Sequence, residues 1–400
     1  MSSTQTVLFL GYAINPNVKQ KPSGYFVAGN KMQVNILEQL SLYKNLKINA
    51  ITVYPIAAFP KDCIYNKSQN INLTANVTSR SISFINIPVL KQLHQILSVY
   101  FYALKYMKNH PKSIILTYNL SPQIGIPAKW LSNKSKNVVA LLADPPIDVD
   151  PTRKVFSRFI RIIFNKLAVL GINACNRFVV INKKLVSYYS LKGRSIVVEG
   201  GINPRDFHIG EANISSYEEK IILYTGSLTF YSGILSLIEA MEQVTDENIK
   251  LHIYGKGNLE KKVLDHAQKS NRIYFGGELP NDEILKIQQK AWLLVNPRII
   301  DDPISQLTFP SKILEYMMSG VPVLTTRLNG FTDEYDTKLY FSDGDDSTSI
   351  SSAINRLALL KDKDLKETAL NARTFVIENK NWKKQTKKIY NFLIEDDYAR

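Results

Sequence analysis

Short apolar runs alternate along the chain with stretches whose apolar residues recur every three or four positions. Thr6–Leu10 reads as a buried strand that ends at Gly11. A long loop with Pro16, Pro22, Gly24 and Gly29 follows. Met32, Ile36, Leu37 and Leu40 then predict a helix over about Lys31–Leu42, and Asn49–Tyr54 predicts a second strand. Residues 60–90 are polar, with a brief alternation at Ser81–Ile85. A helix is expected over Val89–Lys108, a strand over Ile114–Tyr118, a helix near Gly125–Leu131 and a strand over Asn137–Leu142. Strands RFVVIN and SIVVE close this half, and Gly200-Gly201-Ile202-Asn203-Pro204 marks a domain boundary.

The second half repeats the alternation. Strands are expected at Ile221–Thr225, Lys250–Tyr254, Arg272–Phe275 and Ala291–Asn296, with helices between them and a helical tail from about Ser347. Strand, loop, helix, strand is the grammar of an open parallel α/β sheet. The fold class is therefore α/β, with two doubly wound domains. The boundaries read from the pattern are 1–202, 203–383 and a terminal helix over 384–400 that packs back on the first domain.

Charge sharpens this division. Residues 1–200 carry a net charge of +19 and residues 201–400 one of −4, within a total of +15. A basic half predicts an anionic partner surface. The segment 153–170, RKVFSRFIRIIFNKLAVL, interleaves Arg153, Lys154, Arg158 and Arg161 with apolar residues, as a helix lying on an anionic membrane would. The same pattern also fits a helix packed on its own domain. No nucleic-acid recognition module accompanies these residues. The N-terminus lacks the features of a signal peptide, and no apolar run reaches the length of a membrane span. The two cysteines, Cys63 and Cys175, fit no metal or redox spacing. A cytoplasmic protein, peripheral on the inner face of the cell membrane, is the expectation.

Candidate chemistry gathers at strand ends, where sheets of this kind hold ligands. In the first half these positions are the Gly24–Gly29 loop and Asp144, just past the strand 137–142. Asp144 suits a general base, a charge stabiliser or an acceptor clamp. Asp148 and Asp150 are weaker candidates for the same work. In the second half the stretch 296–326, NPRIIDDPISQLTFPSKILEYMMSGVPVLTT, predicts a helix opened by Phe309-Pro310 and closed by Gly320. Ser311, Lys312 and Glu315 would share one face of it. A cation and free N–H groups at a helix start favour phosphate, and a carboxylate one turn on suits sugar hydroxyls. Gly255-Lys256-Gly257 does not complete a dinucleotide fingerprint, so no nicotinamide or flavin cofactor is expected. Asp301-Asp302 alone does not make a metal site.

The motifs YTGSL (224–228), IYGKGN (253–258), YFGGEL (274–279), NPR (296–298) and FPSKILEYMMSGVPVL (309–324) resemble the GT-B-fold glycosyltransferases of the family 4 type, in the capsular and exopolysaccharide branch. The resemblance is strongest over 220–330. It implies two Rossmann-like domains facing a cleft, with a nucleoside-diphosphate sugar on the second and the acceptor on the first. Glu315 would accept bonds from the ribose, while Ser311, Lys312, Gly226 and Ser227 would meet the diphosphate. Arg298 would add charge there, and backbone groups at Glu278 and Leu279 would read the base. UDP and GDP both remain open as the nucleotide, and no metal or other cofactor is implied. The implied reaction moves a hexosyl group, with retention, to a glycan or polyprenyl-diphosphate-linked acceptor. A non-catalytic GT-B partner subunit and a nucleotide-sugar epimerase are the alternatives. The chain departs from the family's pattern at Leu307, where a paired Glu is usual. It also departs in the loop 226–233, which lacks Arg and Lys.

Overall fold

The computed structural model describes residues 4–135, 137–145, 166–167, 169–207 and 220–395. Arg153, Lys154, Arg158 and Arg161, with Asp148 and Asp150, lie outside these residues. The chain divides into two compact units, one of Met1–Gly200 with Trp382–Arg400 and one of Gly201–Asn381.

The first unit is built on a parallel sheet. Its strands are β1 (Gln5–Gly11), β2 (Leu46–Thr52), β4 (Thr78–Ser81), β6 (Ile114–Tyr118), β7 (Val138–Leu142), β8 (Arg177–Val180) and β9 (Arg194–Val197), in the order β4-β2-β1-β6-β7-β8-β9. Strands β6 and β7 are buried at every position, as continuous apolar strands covered on both faces must be. A small antiparallel pair, β3 (Tyr65–Asn66) and β5 (Phe84–Ile85), stands beside the sheet. The helices are α1 (Val27–Ser41), α2 (Leu90–Asn109), α3 (Pro122–Ser132) and the short α4 (Lys184–Tyr188).

The second unit carries β10 (Lys220–Thr225), β11 (Ile249–Tyr254), β12 (Ile273–Phe275), β13 (Leu293–Asn296), β14 (Val323–Thr326) and β15 (Tyr340–Ser342). Their order is β12-β11-β10-β13-β14-β15, with every pair parallel. Helices α5 (Ile234–Ala240), α6 (Glu260–Ala267), α7 (Asn281–Gln288), α8 (Pro303–Leu307), α9 (Lys312–Ser319), α10 (Ser347–Ala358) and α11 (Asp362–Asn379) connect them. Two apolar clusters fill this unit. One joins Leu237, Val263 and Ile350 to the sheet, and the other joins Ile313, Met317 and Val376 to it. In each sheet the strand order reverses beside its first strand, between β1 and β6 and between β10 and β13. Such switch points open a crevice at the carboxyl ends of the strands.

The last helix, α12 (Trp382–Ile394), belongs to the first unit and packs on α1. Trp382, Gln385, Thr386, Ile389, Phe392 and Leu393 form its buried stripe. Buried Arg177 donates to the carbonyls of Phe392 at 2.6 Å and Leu393 at 3.2 Å. A cation there complements the negative end of the helix. Tyr390 stacks on Tyr43 at 3.7 Å between ring centroids. Residues 201 and 202 join the second unit, because Ile202 bridges to Asn381 and its N–H donates to Lys380.

Three local expectations change. Helix α1 begins at Val27, so Gly29 is a first-turn helical residue and not part of a loop. Pro310 lies ahead of α9, whose N-cap is Ser311, and its carbonyl accepts from Ile313 N–H in the entering turn. The polar loop 301–308 contains a short helix, α8, capped by the Asp302 side chain on Ile304 N–H at 2.8 Å.

Candidate functional site

A candidate site lies at the strand ends of each unit. In the first unit, a cavity of about 390 Å³ opens where β1, β6 and β7 end. Tyr12 follows β1, Asn119 follows β6 and Asp144 follows β7, and all three line it with Tyr118 at the end of β6. Gly24, Gly29, Asn30 and Gln33 form another wall. The structure thus brings Gly24, Gly29 and Asp144 into one cavity. A Cβ on Gly29 would stand 3.1 Å from the Tyr118 hydroxyl, and one on Gly24 2.8 Å from the Pro55 carbonyl. Both glycines let the wall come close.

Asp144 is held from two sides. Tyr118 Oη and Asn119 Nδ2 donate to its Oδ2 at 3.2 and 3.1 Å. Asn119, at a positive φ of 51°, turns its Oδ1 to accept from the N–H groups of Ala143 and Asp144. The carboxylate keeps an exposed surface, yet the surrounding protein displaces enough water to raise its pKa above the ordinary carboxylate range. The two donated bonds act in the opposite direction. Burial also raises Tyr118, with the Asp144 charge adding to it. Lys91 of α2 lines the same cavity, and partial burial lowers its pKa.

In the second unit the loops after β10, β11 and β12 are laced together. Gly226 N–H donates to Tyr254, Leu228 to Lys256 and Gly255 to Gly277. Gly255, at a φ of 145°, has no room for a side chain: a Cβ would fall 1.8 Å from the Gly226 carbonyl. A Cβ on Gly257 would meet the Leu228 carbonyl at 2.2 Å. The glycines therefore keep the strand ends flat and close.

Lys312, the first residue of α9, reaches into this floor. Its Nζ lies 4.3 Å from the centroid of the Tyr224 ring and 5.8 Å from that of Tyr316. It stands so near Gly226 that a Cβ there would be 2.4 Å from it. Loss of water around the ammonium, with the Arg298 charge nearby, pushes its pKa down to about 7, while Glu315 acts against this. Arg298 donates to Thr308 at 3.2 Å and lies over the Tyr231 ring. Burial lowers its pKa as well. Neither cation forms an ion pair among the described residues. Glu315 Oε1 accepts from buried Gln288 at 2.9 Å, and Gln288 also donates to Thr225. Tyr316 Oη closes the back of the site, taking the Thr225 N–H at 2.9 Å.

Lys312, Arg298, Glu315 and Gly226 thus converge. Ser227 and Ser311 are exposed at its edge, and Ser311 makes no capping bond. The Glu278 side chain points to Lys256, which it pairs at 2.7 Å, and Leu279 follows it in the loop before α7. Leu307 is buried at the end of α8. Among the described residues no group of three or more His, Cys, Asp or Glu is placed to hold a metal ion. Sequence reading missed Tyr12, Tyr118, Asn119, Tyr224, Gln288 and Tyr316. Tyr12 and Asn119 were accessible to the strand-end rule applied to Asp144.

Solved structures share this architecture over nearly the whole chain. Sucrose-phosphate synthase from Thermosynechococcus elongatus superimposes with a TM-score of 0.70 at 16% identity, over 99% of this chain and 100% of that one. The Anabaena protein HepE, in complex with UDP, gives 0.67 at 14% identity, over 98% and 100%. The fold is GT-B. Residues 219–359 of this GT-B chain match the family model "Glycosyl transferases group 1". An uncharacterized glycosyltransferase of Methanocaldococcus jannaschii is 27% identical over 219 residues, 50% of this chain and 54% of the relative. The chain therefore spans about half the length of the curated relative it matches. Residues 219–359 thus resemble glycosyltransferases, and the chain as a whole has the GT-B fold.

Proposed function

We propose that the protein transfers a hexosyl group from a nucleoside-diphosphate sugar to a glycan or lipid-linked glycan acceptor, with retention, in cell-surface polysaccharide synthesis. The observation that carries this reading is the pair of unanswered cations, Lys312 and Arg298, against the glycine floor after β10. Two cations stripped of much of their water and in no ion pair among the described residues are poised for a diphosphate. Their charge would stabilise the departing nucleoside diphosphate as the bond from the anomeric carbon to the phosphate oxygen breaks. Glu315, fixed by Gln288, is suited to accept hydrogen bonds from the ribose. The resemblance assigns the base edge to the backbone at Glu278 and Leu279. The bond that forms joins the anomeric carbon to an acceptor oxygen, whose proton must leave. Asp144, partly desolvated and held by Tyr118 and Asn119, is the group we assign to receive it.

HepE is solved with UDP, and also with UDP-glucose, which favours UDP-sugars as the first donors to try. Nucleotides and nucleotide-sugars are expected to raise the thermal midpoint of the full chain, since a ligand of the folded state stabilises it. Lys312→Ala should weaken the binding roughly tenfold or more, as loss of a charged hydrogen bond does. Asp144→Asn should retain donor binding and lose transfer. No shift with any nucleotide, or a Lys312→Ala protein that binds and transfers normally, would overturn the assignment.

A further inference from the structure

The outer face of α2 is apolar and open. Leu90, Leu93, Leu97 and Phe101, spaced by three and four residues, lie along one stripe of the helix and are 50, 57, 45 and 59% exposed. Ile87 and Val89 extend the stripe ahead of the helix, and both are exposed. Trp130 of α3 is exposed beside it, edge-on to Tyr100 at 5.3 Å. A contiguous apolar surface of this kind marks a site of contact.

Charge identifies the contact. No Asp or Glu occurs between Asp62 and Asp144, while nine Lys and Arg do. Lys105 and Lys108 are exposed at the far end of the stripe, and Lys129 is exposed next to Trp130. Pairing with a second copy through this face would set these lysines against apolar residues and one another, with no acid to answer them. An apolar stripe bordered by cations, with a Trp at its margin, is complementary to an anionic bilayer.

We propose that the outer face of α2 docks the first unit on an anionic lipid bilayer. Apolar side chains enter the acyl boundary and Lys105, Lys108 and Lys129 meet the head groups. The opposite side of the same helix supplies Lys91, Gln92 and Gln95 to the cavity that holds Asp144. Docking therefore holds that cavity one helix diameter, about 10 Å, from the bilayer in which a lipid-linked acceptor resides. This last use rests on the proposed transfer reaction, whereas the docking itself does not.

The test is sedimentation of the full chain with vesicles. Phosphatidylcholine mixed with phosphatidylglycerol should carry the protein down, and pure phosphatidylcholine should do so far less. The triple variant Leu93→Gln/Leu97→Gln/Phe101→Gln should lower the bound fraction about tenfold, since each residue loses acyl contact. Lys105→Glu/Lys108→Glu should weaken the salt-sensitive part, leaving what Lys129 supplies. Both variants should keep nucleotide binding and the wild-type thermal midpoint, so failure of docking is read apart from failure of the donor site. Absent vesicle binding, or binding that the triple variant leaves intact, overturns the proposal. So does a dimer, seen by light scattering, that the triple variant converts to monomer. Should that variant fail to fold, brominated lipid decides on the unaltered protein. Quenching of Trp130 fluorescence supports docking, and no quenching refutes it, because Trp292 and Trp382 are buried.

Discussion

Lys312 carries more information than its position in a motif suggests. A lysine that titrates near pH 7 is a neutral amine through much of the alkaline range. An arriving diphosphate favours the ammonium form. Binding should then take up a proton, increasingly as pH rises above 7. Calorimetry in buffers of different ionisation enthalpy would show the uptake, and Lys312→Arg should abolish it. Without ligand the sign reverses for stability. The unfolded chain holds the proton up to its ordinary pKa of about 10.4, so the site's contribution to stability rises between about pH 7 and that value. The spacing of Lys312 and Glu315 was legible in the sequence because residues three apart are neighbours on a helix face. Tyr224, Gln288 and Tyr316 were not legible, since they meet only when β10, α7 and α9 are assembled. The loop 226–233 contains no cation, and Lys312 fills the space over Gly226 from another element.

At the scale of elements, the strand-end loops of the second unit are a single surface. Gly255→Ala forces a Cβ into the Gly226 carbonyl and adopts a φ that L residues avoid. A loss of about 1–3 kcal/mol is expected, with a larger loss of nucleotide affinity, because the displaced backbone is the floor under Lys312. Denaturant unfolding and a nucleotide titration would read the two effects. In the first unit, Arg177→Met leaves the last carbonyls of α12 without their cation and should cost about 1.5–3 kcal/mol, measured by the same unfolding. Strands were the legible elements, since continuous apolar runs bounded by glycine leave little choice. Helix starts were less so. The turn made by the Pro310 carbonyl delays α9 by two residues, and α1 takes in Gly29, which composition alone places in a loop.

For the whole molecule, the alternation of strands and helices was enough to read two parallel sheets. Their strand orders were not legible, since pairing depends on which neighbour each crossover returns to. The reversal beside β1 and beside β10 gives each unit its own crevice, and the same rule placed Asp144 at a strand end before its partners were known. The charge imbalance foretold a basic first unit. The apolar face that accompanies this charge lies on α2, and the helical pattern alone did not show which of its apolar residues stay exposed.

The first unit is completed by a helix that comes after the entire second unit. On a ribosome adding about 5–20 residues per second, roughly 10–40 s separate Gly200 from Trp382. Through that interval the nascent first unit has its sheet but not its last helix. The guanidinium of Arg177 waits without the carbonyls of Phe392 and Leu393, and the Tyr43 ring without that of Tyr390. Gly201–Asn381, by contrast, is one continuous segment that can finish folding as it emerges. Biogenesis of this chain therefore runs against the order of its sequence: the half made first is the half finished last, and its uncovered α1 surface is where a chaperone would be needed.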